Sequence, residues 1–277
     1  MTTPTQTRRV TSGAARIAYD VTGTGSDVLL LHAGVNDRRG WAHLVEALAD
    51  RHRCIAPDSR GFGETTYEQE DGWSPVADAV VVLDDAGTDN VVVVACSMAG
   101  VAALGLALEH PERVAGVVLI GASVTGAPYP DADPRAEALE RQAMAAEEAG
   151  DLEELGRLEA WMWLDGPTAP EGRVSGPARE LFLEMNGRAL AAPDPGKRAE
   201  TGEAWPRLGE ITVPVLVLVG ELDFVELQAV LEQAAGLFPD GRFVRLPGVA
   251  HVPHLEADPT TLAEITRFVD GPGQPRG

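Results

Sequence analysis

Three side chains in the sequence have the types that acyl transfer needs, and they occur in the order serine, acid, histidine. Ser97 lies in VVVVACSMAG, Asp223 in VLVLVGELDF and His251 in GVAHVPHLEADP. A serine hydroxyl becomes a nucleophile when a histidine takes its proton, and a carboxylate orients that imidazole and stabilises its protonated form. We therefore expect Ser97 to attack a carbonyl group, with His251 as its base and Asp223 as the acid that orients the histidine.

Ser97 lies where a strand that ends near Ala95 passes into a helix that begins near Met98. A sharp turn there would present the hydroxyl above the sheet, next to amides at the start of the helix that bind an oxyanion. Such a turn needs very small residues two positions before and after the serine. Here they are Ala95 and Ala99 rather than the usual glycines. A serine in A-x-S-x-A is by itself more often a helix cap.

The histidine and the acid each have a neighbour that is an alternative. His254 follows His251 by three residues in the same loop, and we expect it to be a rim or packing residue. Glu221 is close enough to Asp223 to be considered as the acid. The two histidines could also be metal ligands, but no further cluster of ligands supports this. We expect no metal and no organic cofactor.

The segment LLLHAGVNDRRGW follows a predicted strand and offers a second backbone amide. We expect the amide of Gly34, or alternatively that of Val35, to act with the amide of Met98 on an oxyanion. His32 lies in the same segment. We expect it to hold the loop by hydrogen bonds rather than to act in catalysis.

These residues depend on the elements that place them. Short apolar runs alternate with segments of helical spacing, which predicts an α/β protein with a doubly wound, mostly parallel sheet flanked by helices. Residues 16–21 alternate in polarity and predict an antiparallel edge strand. The other predicted strands are 28–31, 53–57, 90–96, 114–120, 214–219 and 242–246, and the predicted helices are 41–50, 75–85, 98–110, 226–238 and 259–269. Ligands bind at the carboxyl ends of the strands in such sheets.

The alternation stops between about Gly126 and Trp205, where no strand-like run occurs. Periodic apolar residues there predict two to four helices. We therefore expect a helical cap at 126–205, inserted into a core domain formed by 1–125 and 206–277.

The predicted cap has candidates for substrate contacts. Four large side chains would line an apolar pocket, or alternatively form the core of the cap itself: Trp161, Trp163, Phe182 and Met185. Four arginines are candidates for binding a carboxylate, although we expect most of them to be exposed to solvent: Arg135, Arg141, Arg157 and Arg179.

The composition excludes several classes of partner. The chain has 22 basic and 43 acidic residues, a formal charge of -21. This charge repels nucleic acid and anionic lipid, so we expect a small-molecule substrate, no nucleic acid and no membrane. Cys54 and Cys96 are too few for a disulfide framework and are expected to be buried thiols. The polar N-terminal residues lack the apolar region of a secretory signal, which favours a cytoplasmic location. The tail 271–277 is expected to fray.

Five segments resemble the α/β-hydrolase superfamily, in order and over nearly the whole chain: LLLHAG, APDSRGFGET, VACSMAG, VLVGELD and PGVAHVPHLE. The resemblance implies Ser97 as nucleophile, Asp223 as acid and His251 as base. It also implies an oxyanion hole from Gly34 and Met98, and a helical cap. Within the superfamily the chain looks like small bacterial esterases, enol-lactonases and cofactor-free peroxidase-like members, and HAGVNDRRGW resembles the enol-lactonases especially.

The resemblance also separates the chain from some relatives. A serine at position 97 argues against haloalkane dehalogenases and epoxide hydrolases, which need a carboxylate nucleophile there. The segment DSRGFGET matches a loop that such proteins use structurally, so Asp58, Arg60, Gly61 and Gly63 are assigned no chemistry.

The sequence thus predicts a serine hydrolase that cleaves a carboxylic ester or lactone through an acyl-enzyme. The same three residues could instead hydrolyse a carbon–carbon bond or serve a lyase step. A third alternative is a hydrolase-like binding protein without turnover, because a fold does not dictate function. Ala95 and Ala99 would support that alternative if they tilted the turn at the serine.

Overall fold

A computed structural model describes residues 4–271 of the chain. The predicted frayed tail therefore lies, apart from Gly271, outside the described residues. The strands are β1 (Gln6–Ser12), β2 (Ala15–Gly23), β3 (Ser26–Leu31), β4 (His52–Pro57), β5 (Thr66–Tyr67), β6 (Val91–Cys96), β7 (Val114–Ile120), β8 (Val215–Gly220) and β9 (Gly241–Leu246). They form one sheet in the order β1-β2-β4-β3-β6-β7-β8-β9, with β5 paired to β2.

The α-helices lie mainly between these strands. They are α1 (Ala42–Leu48), α2 (Pro75–Ala86), α3 (Gly100–Glu109), α4 (Pro134–Ala149), α5 (Leu152–Glu159), α6 (Pro177–Leu190), α7 (Val225–Leu237) and α8 (Pro259–Asp270). Local signals set their ends: the Ser74 hydroxyl accepts from the Ala77 amide at the start of α2, and Gly87 ends that helix in the left-handed region. None of the helices described between residues 4 and 271 has the length and apolar character to cross a membrane.

The sheet is parallel from β4 through β3, β6, β7 and β8 to β9. Two apolar clusters of buried residues cover it, one on each face, and all six residues of β6 and of β8 are buried. Strands covered on both faces need continuous apolar runs, which is why the sequence signal for them is strong. The predicted fold class is confirmed.

The prediction that residues 16–21 form an edge strand is wrong. These residues are part of β2, which is antiparallel, but β2 lies between β1 and β4. The edge is β1, whose residues are mostly exposed and carry no apolar alternation. A polar edge strand of this kind gives little hydrophobic signal.

Between β7 and β8 the chain forms α4, α5 and α6, which we call, with their connections at 126–205, the inserted segment. A π-helical stretch, Ala160–Asp165, follows α5 directly. Arg173 joins this segment to the loop after β9, because it forms an ion pair with Glu256 at 2.8 Å and donates to the carbonyl of Gly248. Stretches of π-helix often occur at functional sites.

Candidate active site

Ser97 lies at the carboxyl end of β6, on a tight turn into α3. Its φ is +56°, in the left-handed region that L-residues rarely adopt. A short 3-10 helix spans Ser97–Ala99, and α3 begins only at Gly100. Strained serine backbone of this kind is concentrated at functional sites, where the surrounding structure enforces it.

Small residues make this turn possible. Ala95 is fully buried and Ala99 is nearly so. A Cβ on Gly100 would lie 2.5 Å from the carbonyl oxygen of Ser123, whose own amide donates to the Ser97 carbonyl at 2.9 Å. Only glycine therefore fits at position 100, three residues after the serine. Alanine is small enough for positions 95 and 99.

Asp223 and His251 form a buried pair at the same edge of the sheet. Asp223 follows β8 and His251 follows β9, and the distance from His251 Nδ1 to Asp223 Oδ2 is 2.8 Å. The other carboxylate oxygen of Asp223 accepts from the Phe224 amide at 2.9 Å. In the tautomer that suits this bond, Nδ1 donates to the carboxylate oxygen and Nε2 keeps a free lone pair.

Ser97 and His251 line the same cleft, which we call the Ser97 cleft. Nε2 of His251 is buried and has no hydrogen-bond partner within the described chain, so the serine hydroxyl does not yet contact it in this conformation. Catalytic hydrogen bonds are often long before substrate binds. Proton abstraction requires a free imidazole lone pair that can reach the hydroxyl, and both groups belong to residues that line this cleft.

Gly121 makes room for the pair, and the sequence analysis missed it. Its φ is +51°, and a Cβ there would lie 2.8 Å from His251 Nδ1 and 3.1 Å from Asp223 Oδ2. The available signal was its place: a glycine directly after buried strand β7, at the edge where Ser97 also lies.

The two predicted oxyanion residues lie next to each other. A Cβ on Gly34 would be 3.6 Å from Met98 Sδ. The loop that carries Gly34 is held by His32, which donates from Nδ1 to the Ala33 carbonyl at 2.8 Å and accepts at Nε2 from the Ser59 amide at 3.0 Å. These bonds fit the structural role predicted for His32. The choice between Gly34 and Val35 as the amide donor stays a prediction.

His254 is a packing residue and does not lie at a rim. It is fully buried, stacks on Trp41 with ring centroids 4.1 Å apart, and has Asn36 Nδ2 3.5 Å from its Nε2. Burial, with smaller contributions from His251 and His32, lowers the pKa of His254 to about 3. A neutral imidazole under the Gly34 loop supports that loop without adding charge to the site.

Of the four side chains predicted to line an apolar pocket, the Ser97 cleft contains only Trp163. Its ring lies 4.7 Å from that of His251 and 4.8 Å from that of Phe224, and its carbonyl accepts from the His251 amide at 3.3 Å. Phe182 and Met185 are buried in the apolar core, and Trp161 packs against the other apolar cluster. Apolar residues at helical spacing indicate a buried helix face, which can pack against a core or against a ligand. Here Trp161, Phe182 and Met185 pack against the core.

Most of the candidate arginines already have carboxylate partners within the protein. Arg141 pairs with Glu137, and Arg179 pairs with the buried Asp165 at 2.7 Å. Arg157 pairs with Glu154 at 2.7 Å and also contacts Glu171. Arg135 is exposed at the start of α4.

The loop after β4 contains two residues, Asp58 and Arg60, that form buried or partly buried ion pairs. Asp58 is fully buried, pairs with Arg38 and accepts from the Glu64 amide at 2.7 Å. Arg60 binds Asp78 at 2.9 Å and Glu70 at 2.6 Å. These carboxylates and cations neutralise one another, which gives the loop a structural role. In residues 4–271 no group of three or more His, Cys, Asp or Glu side chains is arranged to hold a metal ion.

The chain is similar over most of its length to known hydrolases. The chain is 26% identical over 273 residues to a 2-(acetamidomethylene)succinate hydrolase of Mesorhizobium japonicum, with 95% of each chain covered. It is 29% identical over 247 residues to a 2-hydroxy-6-oxo-6-phenylhexa-2,4-dienoate hydrolase of Burkholderia cepacia, with 85% of each covered.

Among solved structures, a thermophilic esterase from Thermogutta terrifontis superposes with a TM-score of 0.74 at 27% identity, covering 97% of this chain and 100% of the esterase. The sequence model of the Alpha/beta hydrolase family matches residues 28–265. The chain therefore belongs to the alpha/beta hydrolase family.

Proposed function

We propose that the protein is a serine hydrolase that cleaves a carboxylic ester or lactone, with Ser97 as nucleophile, His251 as base and Asp223 as the orienting acid. The observation that carries the proposal is the free Nε2 of His251 in the Ser97 cleft, with Nδ1 fixed by a buried carboxylate. The similarity to the Thermogutta terrifontis esterase supports the ester part of it.

In the first step His251 takes the proton of Ser97 as the hydroxyl oxygen attacks the carbonyl carbon. The negative charge moves to the carbonyl oxygen, where the amides of Gly34 and Met98 would stabilise it by about 3 kcal/mol each. The imidazolium then protonates the leaving alcohol, which leaves an acyl group on Ser97. Water, deprotonated by the same histidine, releases the acid and restores the serine.

We also propose that the inserted segment acts as a cap on this site. Trp163 contacts the ring of His251, and Tyr129 and Glu140 line the Ser97 cleft from the same segment. A cap in this position would select substrates by shape and charge, while the residues at the ends of the strands carry out the chemistry.

Labelling with a fluorophosphonate, followed by peptide mass mapping, tests the nucleophile. We expect an adduct on Ser97 in the native protein and none in Ser97→Ala or His251→Ala, because the hydroxyl needs its base. The same variants should lower the turnover of a p-nitrophenyl ester by about 10³-fold or more. An adduct on another residue, or near-native turnover in folded Ser97→Ala, would refute the assignment.

Carbon–carbon bond hydrolysis is the second candidate, and one comparison favours it. The Burkholderia cepacia relative acts on 2-hydroxy-6-oxo-6-phenylhexa-2,4-dienoate, a ketone without an ester bond. If the protein turned over that dienoate but not p-nitrophenyl esters, the result would favour carbon–carbon bond hydrolysis. Turnover of the esters but not of the dienoate would favour ester cleavage. Turnover of neither class, in protein that a fluorophosphonate does not label, would favour a hydrolase-like binding protein.

A further inference from the structure

A second cavity borders the turn that follows Ser97, and its lining contains an arginine, which the lining of the Ser97 cleft does not. Its lining is mostly apolar and includes Leu31, Trp73, Met98, Ala102 and Arg198. We call it the Arg198 cavity. Met98 is the residue after the proposed nucleophile, and its Sδ accepts a hydrogen bond from Nη2 of Arg198 at 3.1 Å.

The backbone around Arg198 is held in place. The Ala199 amide donates to the Trp73 carbonyl at 2.8 Å, and the Trp73 indole donates to the Gly196 carbonyl at 3.0 Å. The guanidinium carbon of Arg198 lies 5.2 Å from the centre of the Trp73 ring. A guanidinium on an aromatic face keeps its hydrogen-bond donors free for an acceptor at its edge.

The charge of Arg198 is not balanced within the part of the protein that the structure describes. None of the ion pairs found there includes it, whereas Arg60, which lies 5.0 Å from the same Trp73 ring, binds two carboxylates. Desolvation lowers the pKa of Arg198. Desolvation also acts on Arg38 and Arg60, but their carboxylate partners outweigh it and raise the pKa of both. Arg198 as a whole is exposed to solvent, so its guanidinium, which lacks an anionic partner among the described residues, has donors that a ligand can reach.

The carboxylates that line the Arg198 cavity are already used. Asp58 pairs with Arg38, and Asp78 accepts from Arg60 and from the Ser12 hydroxyl. The Ser97 cleft, in contrast, contains Glu140 and Glu226, whose pKa values are raised by burial and by neighbouring carboxylates. An anionic group would therefore be repelled on the cleft side and attracted on the Arg198 side.

We propose that Arg198 binds a carboxylate carried by the substrate, so that the enzyme acts on esters or lactones that have a free carboxylate next to an apolar carbon chain. The reacting carbonyl lies at Ser97, the apolar part passes Met98, and the carboxylate forms a charge-assisted hydrogen bond with the guanidinium. This proposal rests on the proposed ester hydrolysis for its substrate, but the carboxylate site itself is defined by Arg198, Trp73 and Met98.

The test uses pairs of esters that differ only in charge. Monomethyl esters of succinic, glutaric, adipic and pimelic acid are compared with the same esters in which the free carboxylate is a primary amide. For each length the ratio of kcat/KM, acid over amide, is measured in the native protein, in Arg198→Gln and in Arg188→Gln. Arg188 is a matched control, because it is another arginine of the inserted segment but pairs with Glu184 on α6.

We expect the native ratio to exceed about 10 for at least one length, since a hydrogen bond to a charged group contributes at least that factor. Arg198→Gln should bring that ratio to about one, and Arg198→Lys should restore part of it. The ratio in Arg188→Gln should equal the native one. A native ratio near one at every length, or a high ratio that survives in Arg198→Gln, would overturn the proposal.

A binding measurement separates this proposal from the proposed function. The four free dicarboxylates are titrated into the protein and followed by tryptophan fluorescence, to which Trp73 next to Arg198 contributes. We expect at least one to bind, with a Kd that rises about tenfold or more in Arg198→Gln. Arg198-dependent binding without hydrolysis of any ester would uphold the carboxylate site and refute ester hydrolysis. Ester hydrolysis in which Arg198→Gln changes neither the acid-to-amide ratio nor dicarboxylate binding would support the proposed function and refute the carboxylate site.

Discussion

The Ser97 cleft has two walls of different origin. One wall comes from residues at the ends of the strands, chiefly Ser97, Gly121 and His251, which short backbone and side-chain bonds hold in place. The other comes from the inserted segment and includes Trp163 and Glu140. We call them the strand-end wall and the inserted wall. We propose that the first contains the groups that make and break bonds, whereas the second contains groups that select by shape and charge.

This difference predicts that changes in the strand-end wall lower the turnover of all substrates alike. Changes on the inserted segment, as proposed for Arg198, should instead alter the ratio between substrates. Substitutions of Asp223 and Gly121 test the first half of that comparison, because each changes a contact of His251.

Asp223→Asn should have the largest effect. An asparagine amide next to Nδ1 would favour the wrong tautomer of His251, with the proton on Nε2, and kcat/KM should fall about 10⁴-fold for every ester. Glu221→Gln is the control, because Glu221 lies two residues away and accepts from the Gly248 amide at 3.0 Å, whereas His251 bonds to Asp223. Rates on a panel of esters check this. If Glu221→Gln caused the greater loss, Glu221 would be the acid instead.

Gly121→Ala should have the next largest effect. Its methyl group would lie 2.8 Å from His251 Nδ1 and would have to displace the imidazole, and a shift of that kind costs about 10²-fold in rate. The left-handed φ adds about 1–2 kcal/mol of strain, which denaturant unfolding would detect. Gly187→Ala on α6 is the control, because a Cβ there meets no atom within 4 Å. A rate loss in Gly121→Ala that differed strongly between esters would contradict the division into two walls.

The two walls also differ in how far the sequence predicted them. Continuous apolar runs defined the buried strands closely, and the predicted strand 114–120 has the same bounds as β7. Because parallel strands end at one edge, the position of Ser97, Asp223 and His251 directly after predicted strands was enough to predict that they lie near one another. The turn into α3 was less predictable, because residues 97–99 form a 3-10 helix instead of the first turn of the helix.

The inserted segment was predicted only as a set of helices. Periodicity marked Phe182 and Met185 as buried but did not distinguish a core from a pocket. Arg198 and Gly121 escaped notice because their surroundings come from distant parts of the chain, Trp73 for Arg198 and the His251–Asp223 pair for Gly121. Contacts of this kind leave no periodic trace in a single sequence.

The pH dependence of stability gives the smallest expected effect and concerns His254, which supports the loop that carries Gly34. Folded His254 has a pKa of about 3, against 6.5 for an unperturbed histidine. Above pH 6.5 both the folded and the unfolded chain hold it neutral, so it adds no pH dependence there. Below pH 6.5 His254 is protonated in the unfolded chain but stays neutral in the folded chain. The free energy of unfolding therefore falls until the pH reaches the folded pKa. Between pH 7 and pH 5 the loss should be about 2 kcal/mol.

His254→Phe isolates this contribution, because a phenyl ring retains the stacking on Trp41 but does not titrate. The free energy of unfolding is measured in urea at pH 7 and pH 5 for both proteins. The native protein should lose about 2 kcal/mol more than the variant over this range. His43→Gln is the control, since His43 is exposed and its removal should leave the native pH dependence in place. Equal losses in the native protein and His254→Phe would mean that protons reach His254 in the folded state, so that the loop beneath Gly34 opens more readily than its packing indicates.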